Sequence, residues 1–365
     1  MIPESKRKPI LIAAGGTGGH IYPAIAIFDL LKKGDFEVNF ITDSRGIQHS
    51  QLSKINPITI KVKGFEGKSV MEKITSLFLI CSSCIKAILI IRRKKIKLII
   101  GFGSYVQVPV LLAAKLLNID IILHEANAVL GRANRVFWNF VKLRTSAYKI
   151  DYKNLNSILV GTPVRHSIVQ LNRRPYKEHF VQKKCNILIL GGSLGSMALS
   201  LNLSKCLAKL PYKLRKKIKV FHQVTKNQKK DVITEYKLAG IRAEVKVFIE
   251  NISSYLNVAH IVICRAGAST IAENLIAKLP AIYIPLPSAI GNHQYLNTKP
   301  LLKEKAAWVF NEDAILNNDF LKLIKKIIST KDILNTYSKN TKSIALPNAS
   351  EKFYKLVTGV LNAEF

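Results

Sequence analysis

The first feature of this chain that could take part in chemistry is a histidine that directly follows a glycine-rich run. The run is Gly15-Gly16-Thr17-Gly18-Gly19-His20; the apolar segment 10–14 precedes it, and 21–31 has helical apolar spacing. Glycines let a ligand approach the backbone, and unpaired N–H groups at a helix N-terminus attract anions. The pattern therefore predicts a strand, a turn and a helix that bind an anionic ligand, with His20 at the mouth of the site. A helix-terminal histidine without chemistry is the alternative.

A second stretch whose residues could take part in chemistry is CRAGASTIAE, residues 264–273. It has the pattern of a strand end, a turn of small residues and a helix. Ala268, Ser269 and Thr270 would offer backbone N–H groups and hydroxyls to a diphosphate at the helix N-terminus. Arg265 would offset negative charge on a leaving group. Glu273 is suited to accept hydrogen bonds from two ribose hydroxyls, although taken alone it is more typical of a solvated helix carboxylate.

The elements that position the first stretch alternate between strands and helices. Strand-like runs occupy 36–42, 57–62, 97–101 and 119–125, with helical runs near 70–93 and 106–118. This alternation predicts an α/β domain with a parallel sheet between helices. In such sheets ligands bind beyond the carboxyl ends of the strands. Three unusual turns lie at predicted strand ends, namely 15–20, 101–105 and 124–127.

The same pattern starts again near residue 183. Residues 183–202 repeat the apolar strand, the glycine turn and the helix, and further strand-like runs follow at 218–224, 243–249, 260–267, 281–286 and 306–310. We therefore predict two Rossmann-like, doubly wound parallel-sheet domains that face a central cleft. The expected ranges are 1–163 for the first domain and 164–346 for the second. A C-terminal helix within 347–365 is expected to pack back on the first domain.

The charge of the chain is strongly positive, with 56 Lys and Arg against 23 Asp and Glu, a net +33. Such a surface attracts anionic lipid, an anionic substrate or nucleic acid. No compact basic stretch with interleaved aromatic residues occurs, and no helix-turn-helix or RNA-binding signature is present. We therefore expect compositional bias together with a membrane or anion preference, and no nucleic-acid partner.

The cysteines and the N-terminus indicate the compartment. Five cysteines without a paired framework fit a reducing environment. Cys81 and Cys84 form a single CxxC, which without a second pair is better explained by core packing than by a metal or redox site. The first apolar run is shorter than the roughly 7–15 residues of a signal-peptide core. We interpret it as the first strand and expect a cytoplasmic protein.

Residues 74–91 are apolar and nearly long enough to span a bilayer. Lys86, two adjacent serines and the position between two strands of one domain argue against a span. Basic residues flank the run: Lys61, Lys63, Lys68 and Lys73 before it, and Arg92, Arg93, Lys94 and Lys95 after it. A helix of this kind can lie on an anionic membrane surface. A core helix with a solvated basic end is an equal alternative from spacing alone.

Seven motifs, in order and spacing, resemble the MurG family of peptidoglycan N-acetylglucosaminyltransferases, within glycosyltransferase family 28. They are GGTGGH (15–20), GFGSYVQVPVLLAA (101–114), HEANAVLGRAN (124–134), GTPVR (161–165), GGSLG (191–195), CRAGASTIAE (264–273) and NHQYLN (292–297). The resemblance covers essentially the whole chain and implies a GT-B fold. It also implies transfer of GlcNAc from UDP-GlcNAc to the C4 hydroxyl of undecaprenyl-pyrophosphoryl-MurNAc-pentapeptide (lipid I), giving lipid II and UDP with inversion.

The resemblance further implies roles for individual residues. The donor UDP-GlcNAc would contact Thr17, Gly18, Gly19, Asn127, Arg165, Ser193, Ile249, Arg265, Ala268, Ser269, Thr270, Glu273 and Gln294. His20 is the general-base candidate for the acceptor hydroxyl, because an imidazole with an ordinary pKa of about 6.5 is largely neutral at cellular pH. His124 and Glu125 compete for that role, and Tyr105 lies with them on the acceptor side.

An acceptor that is lipid-linked would give the apolar segment 74–91 a function, which is to contact the membrane. The family docks an apolar patch ringed by basic residues on the inner leaflet, and Met71, Ile74, Leu77 and Phe78 with Lys68 and Lys73 match this description. This match favours the interpretation of the segment as a membrane-surface helix over its interpretation as a core helix. We therefore expect a peripheral protein of peptidoglycan synthesis on the cytoplasmic side of the inner membrane.

The chain departs from the family pattern at several turns, with GGSLGSM, Ser104, Val224-Thr225 and Gly291 in place of the usual residues. These changes affect details of phosphate and acceptor contacts. No DxD occurs in the chain, so helix N-termini and Arg265 would have to neutralise the departing UDP. We therefore predict no metal and no other cofactor.

Three other functions are weighed against this one. A UDP-GlcNAc 2-epimerase shares the fold and the donor pocket but needs neither a lipid acceptor nor a membrane face. A nucleic-acid-binding protein would explain the charge but not the glycine turns at strand ends. A catalytically silent sensor of sugar nucleotides would show the same binding residues and no turnover.

Overall fold

The computed structural model describes residues 8–62, 64, 69–173, 176, 184–191 and 197–362. The chain divides into two compact units. Unit 1 comprises Met1–Arg165 together with Asn348–Phe365, and unit 2 comprises His166–Pro347. Ser193, Lys63 and Lys68, which the sequence placed in candidate sites, lie outside the described residues.

Unit 1 contains a seven-stranded parallel sheet in the order β3-β2-β1-β4-β5-β6-β9. The strands are β1 (Ile10–Ala13), β2 (Val38–Thr42), β3 (Ile58–Thr59), β4 (Leu98–Gly101), β5 (Asp120–Glu125), β6 (Leu143–Ser146) and β9 (Ile158–Leu159). A hairpin of β7 (Asp151–Tyr152) and β8 (Leu155–Asn156) precedes β9. The sheet turns from one winding direction to the other between β1 and β4, the switch point at which this fold class binds ligands.

Helices cover both faces of the first sheet. They are α1 (Gly18–Lys33), α2 (Ser50–Ser53), α3 (Val70–Arg93), α4 (Gln107–Leu116), α5 (Arg132–Phe137) and the C-terminal α15 (Ala349–Leu361). Ile10 and Ile12 pack with α1 and α15, whereas Leu11 and Ala13 pack with α3 and α4. Because successive strand residues point to opposite faces, a strand buried on both faces has to be apolar throughout.

Unit 2 contains a six-stranded parallel sheet in the order β12-β11-β10-β13-β14-β15. The strands are β10 (Cys185–Leu190), β11 (Ile218–Gln223), β12 (Arg242–Lys246), β13 (Ile261–Cys264), β14 (Ala281–Tyr283) and β15 (Ala307–Val309). The helices are α6 (His166–Val169), α7 (Met197–Ala208), α8 (Tyr212–Arg215), α9 (Lys229–Leu238), α10 (Ile252–Val258), α11 (Ala268–Ile276), α12 (His293–Lys303), α13 (Asn318–Ser329) and α14 (Lys331–Asn340). The switch point lies between β10 and β13, so CRAGASTIAE begins there.

Helix α3 has the length and apolar composition of a membrane-crossing segment. A reciprocal capping box between Ser69 and Glu72 starts it. One side packs on unit 1, where the Ser83 hydroxyl donates a hydrogen bond to the Lys61 carbonyl at 2.7 Å and Lys86 Nζ donates to the Thr59 carbonyl at 2.8 Å. The opposite side leaves a row of apolar side chains exposed: Val70, Met71, Ile74, Leu77, Phe78, Ile85 and Leu89.

Candidate active site

His20 lies in the first turn of α1, at the switch point of unit 1, as the sequence predicts. Its Nδ1 is 2.9 Å from the carbonyl oxygen of Phe102, in the turn after β4. A carbonyl only accepts hydrogen bonds, so Nδ1 carries a hydrogen, and in the neutral imidazole Nε2 carries the lone pair. Gly103 has φ 101°, and a Cβ there would lie 2.7 Å from Nδ1 of His20. Only glycine therefore allows this close approach of the turn to the imidazole ring.

Asp43, which directly follows β2, holds the glycine turn in place. Its Oδ1 accepts hydrogen bonds from the N–H groups of Gly16 at 3.0 Å and Gly46 at 2.9 Å, and its Oδ2 accepts one from Arg45 Nε at 3.0 Å. Burial acts to raise the pKa of Asp43, but these hydrogen bonds and the Arg45 charge outweigh it, so the pKa lies below its ordinary value of 3.8. Asp43 is therefore ionised whenever the protein is folded near neutral pH.

We expect Asp43→Asn to destabilise unit 1 by about 1–2 kcal/mol at pH 7, because the N–H groups of Gly16 and Gly46 keep only a neutral acceptor and Arg45 Nε faces the new NH2 group instead of a carboxylate oxygen. The folded-state pKa is depressed, so this stabilisation is present above the unfolded-state pKa of about 4 and is lost as pH falls through the folded-state pKa. Urea unfolding of wild type and variant should thus give a difference that narrows below pH 4. A difference that stays constant from pH 7 to pH 3 would contradict the role assigned to the carboxylate.

Glu125 ends β5 and is a hub of hydrogen bonds rather than an open carboxylate. Its Oε1 accepts from the backbone N–H of Asn127 at 3.0 Å and from its side-chain Nδ2 at 3.2 Å. Its Oε2 accepts from the N–H of Gly131 at 2.8 Å and from Asn134 Nδ2 at 2.9 Å. Glu125 is 2% exposed. The carboxylate therefore shapes the turn that carries Asn127.

His124 is fully buried beside Glu125, with its ring against Phe102 and Phe353, which stack on each other. The Thr145 hydroxyl donates to the Leu123 carbonyl and lies 3.1 Å from His124 Nδ1, so it accepts the hydrogen from that nitrogen. Burial, with a smaller contribution from His20, lowers the pKa of His124 to about 3. The imidazole is thus a neutral component of the core.

The other predicted residues of unit 1 surround the same edge of the sheet. Thr17 is the N-cap residue of α1, Gly18 and Gly19 are its first residues, and Tyr105 is half-buried in the turn after β4. The guanidinium of Arg165 stacks on the Tyr22 ring at 4.5 Å. The first switch point therefore brings together the residues predicted from GGTGGH, GFGSY, HEAN and GTPVR.

In unit 2, Arg265 is buried and paired. Its Nη2 lies 2.6 Å from Glu312 Oε2, and its Nη1 donates to the carbonyls of Ile284 at 3.2 Å and Pro285 at 3.3 Å. These bonds join the loops that follow β13, β14 and β15. The guanidinium therefore lies close to the N-terminus of α11, where Glu312 is its ion-pair partner.

The remaining residues of unit 2 that were predicted to contact the donor follow the strands β12, β13 and β14. Ala268, Ser269 and Thr270 form the first turn of α11, and the half-buried Glu273 follows one turn later. Ile249 is buried in the segment after β12. Gln294 is in the first turn of α12, where its Oε1 accepts from the N–H of Leu286 at 2.9 Å. This bond leaves the amide Nε2 as the donor end of the Gln294 side chain.

Four polar residues of these sites were not predicted from the sequence. Asp43, Gln107, Asn134 and Glu312 hold the residues that were predicted, and all four follow strands or begin helices. The local signals were the position of Asp43 directly after an apolar strand and the positions of Gln107 and Asn134 inside the motifs 101–114 and 124–134. Within the part of the chain that the structure describes, no group of three or more His, Cys, Asp or Glu could hold a metal ion.

Two doubly wound parallel-sheet domains, each with a small-residue turn at its switch point, define the GT-B class of α/β proteins. Residues 10–145 match the glycosyltransferase family 28 N-terminal domain, and residues 186–357 match the glycosyltransferase family 28 C-terminal domain. The chain belongs to glycosyltransferase family 28, and the resemblance drawn from the seven motifs is confirmed.

Comparison with individual proteins supports this family assignment. The chain is 35% identical over 374 residues to the UDP-N-acetylglucosamine--N-acetylmuramyl-(pentapeptide) pyrophosphoryl-undecaprenol N-acetylglucosamine transferase of Francisella tularensis subsp. holarctica, covering 98% of this chain and 99% of that protein. The crystal structure of Acinetobacter baumannii MurG is 27% identical, with a TM-score of 0.75, and covers 96% of this chain and 99% of that one. The Neisseria meningitidis UDP-GlcNAc 2-epimerase bound to UDP-GlcNAc is 12% identical with a TM-score of 0.62, covering 95% and 98%, which is a likeness of fold alone.

Proposed function

We propose that this enzyme transfers GlcNAc from UDP-GlcNAc to the MurNAc C4 hydroxyl of lipid I, with inversion at the anomeric carbon, to give lipid II and UDP. The named relative at 35% identity supports this reaction. The observation that carries it is the fixed tautomer of His20, whose Nε2 lone pair is set by the bond from Nδ1 to the Phe102 carbonyl. A base in this state can take the proton of the acceptor hydroxyl as its oxygen attacks the sugar.

His20 is favoured over its two competitors by accessibility and by hydrogen bonding. His124 is 0% exposed, and the four hydrogen bonds to Glu125 occupy both of its carboxylate oxygens. Neither group can reach an acceptor hydroxyl without rearrangement of the core. We therefore assign structural roles to His124 and Glu125.

For the donor, we propose contacts from Thr17, Gly18, Gly19, Asn127, Arg165 and Ser193, and from Ile249, Arg265, Ala268, Ser269, Thr270, Glu273 and Gln294. The N-terminus of α11 supports a diphosphate site, because its N–H groups and dipole favour negative charge. Arg265 adds a positive charge that its pairing with Glu312 keeps in one position. These groups would stabilise the departing UDP without a metal ion.

The decisive experiment is transfer of labelled GlcNAc from UDP-GlcNAc to a lipid I analogue in the presence of EDTA. We expect a disaccharide-linked lipid product, with full activity after chelation. Incubation without acceptor should leave UDP-GlcNAc unchanged, whereas an epimerase would convert it to the 2-epimer. Bound UDP with no transfer would indicate a sensor, and loss of transfer with EDTA would reject the metal-free mechanism.

We further propose that unit 1 binds the cytoplasmic face of the inner membrane through the exposed side of α3. Phe78 is 72% exposed and Met71 73% exposed, and they lie with Ile74 and Leu77 beside the basic residue Lys73. Apolar side chains of this kind insert below the headgroups, while lysines interact with anionic lipid. Such a peripheral position would bring the enzyme to its lipid-linked acceptor.

Substitution of Ile74 and Phe78 by serine should lower affinity for vesicles of phosphatidylglycerol and phosphatidylcholine by about tenfold or more, because each change removes on the order of 1.5 kcal/mol of apolar burial. Cosedimentation measures the binding. Leu238→Ser is the matched control, since Leu238 is 82% exposed but lies in unit 2. Equal binding by the double variant and the control would show that α3 is not the docking surface.

A further inference from the structure

We propose that Gln107, the first residue of α4, is a positioning residue that fixes the tautomer and orientation of His20. The role is exerted through the peptide group between Phe102 and Gly103. Its catalytic consequence rests on the proposed function of His20 as the base. The proposed effect of Gln107 on the His20 tautomer does not rest on that function, because the state of the imidazole can be measured without turnover.

A single peptide group is held from both ends. Its carbonyl, on Phe102, accepts the hydrogen from His20 Nδ1 at 2.9 Å. Its N–H, on Gly103, donates to Gln107 Oε1 at 2.8 Å. Gly103 has φ 101°, a conformation in which a glycine peptide can rotate easily unless it is held. Gln107 is therefore what keeps the Phe102 carbonyl directed at the imidazole.

The rest of the Gln107 side chain connects this turn to the turn after β5. Gln107 Nε2 donates to Asn134 Oδ1 at 2.6 Å, and Asn134 Nδ2 donates to Glu125 Oε2 at 2.9 Å and to the His124 carbonyl at 3.1 Å. Glu125 in turn holds Asn127. The same network thus orients both the proposed base and Asn127, which is proposed to contact the donor.

The direction of every bond in this network is determined by chemistry. The Gly103 N–H can only donate, so the Gln107 oxygen faces it and the Gln107 nitrogen faces Asn134. The Asn134 nitrogen then faces Glu125, which accepts as a carboxylate. Position 107 must therefore accept on one side and donate on the other. An amide of this length does both, whereas methionine of similar size does neither.

Gln107 is 0% exposed and Asn134 is 3% exposed, so water does not substitute for either partner. Removal of the Gln107 amide would leave the Gly103 N–H without its acceptor. The peptide group would then rotate toward other partners, and the Phe102 carbonyl would no longer select the Nδ1–H form of His20. Neutral imidazole would distribute between both tautomers, and the lone pair would be on the wrong nitrogen for part of the time.

The test compares Gln107→Met with Val110→Ala in the full-length chain. Val110 lies one turn further along α4, is fully buried and has no part in the network, so its truncation lowers the thermal unfolding midpoint without touching the hydrogen bonds. Two readouts are taken. The first is the ¹⁵N chemical shifts of the His20 ring, identified by their absence in His20→Ala; the second is kcat and KM for transfer to the lipid I analogue.

We expect Gln107→Met to shift the His20 ¹⁵N resonances toward a mixture of tautomers and to reduce kcat by ~10-fold or more, within the range contributed by a general base, with KM for UDP-GlcNAc changed much less. Val110→Ala should keep the wild-type shifts and most of kcat. Unchanged His20 shifts in Gln107→Met would overturn the proposal whatever the activity. Altered shifts with unchanged kcat would retain the positioning role and instead reject His20 as the base.

Discussion

Replacement of His20 by alanine is expected to reduce kcat for GlcNAc transfer by ~10²–10⁴-fold, the usual contribution of a positioned general base. The alanine removes the Nε2 lone pair that the Phe102 carbonyl sets through Nδ1. UDP binding should be nearly unchanged, because the groups proposed to hold the diphosphate belong to α11 in unit 2. Steady-state kinetics and calorimetric titration with UDP measure the two effects separately.

His124→Phe is the informative comparison for this variant. Phenylalanine fits the aromatic environment of Phe102 and Phe353 and removes only the bond to Thr145, so kcat should fall far less than in His20→Ala. The reverse order of effects would assign the base to His124. Equal activity of His20→Ala and wild type would show that His20 has no part in proton transfer.

Much of the fold follows from the sequence because its strands are buried on both faces. β1, β4 and β13 are continuous apolar runs, and their parallel arrangement follows from the helices between them. The glycine turn before α1 could also be predicted, since few other residues let a ligand or a neighbouring segment come so close to the backbone. The restart of this pattern at Cys185 gave the second sheet.

Some short strands in the later part of unit 1 could not be predicted. β6 reads LRTS, and β7, β8 and β9 contain two residues each. Their pairing depends on the neighbouring strand rather than on their own composition. Such segments have no distinct apolar period, so tertiary context decides their conformation.

The polar contacts of the site could not be predicted from the sequence either, because the two partners of each contact are distant along the chain. Gln107 meets Asn134 across 27 positions, and Arg265 meets Glu312 across 47. Residue types alone made His124 and Glu125 as suitable for proton transfer as His20. Burial and hydrogen bonding distinguish the three, and neither property can be assigned before the fold is known.

Glu125→Gln is expected to destabilise unit 1, because the carboxylate holds the turn after β5 through four hydrogen bonds. The glutamine amide has one accepting oxygen, so its NH2 group must face one of the two pairs of donors that the carboxylate now accepts. A buried N–H that loses its acceptor costs about 1–3 kcal/mol, and the donors of the half-buried Asn127 and the exposed Gly131 cost less because water can reach them, so we expect a loss of roughly 1–3 kcal/mol. Transfer activity should fall as well, because the turn that carries Asn127 loses its support.

The measurement uses urea unfolding in a Trp308→Phe background, in which Trp138 alone reports on unit 1. Glu37→Gln is the control: the same substitution at an exposed position of the same unit, with an expected effect within about 0.5 kcal/mol. A Glu125→Gln variant as stable as this control would mean that the four hydrogen bonds do not hold the turn after β5. Glu125 would then regain its place as a candidate base, because a carboxylate that can lose these partners without loss of stability is available for proton transfer.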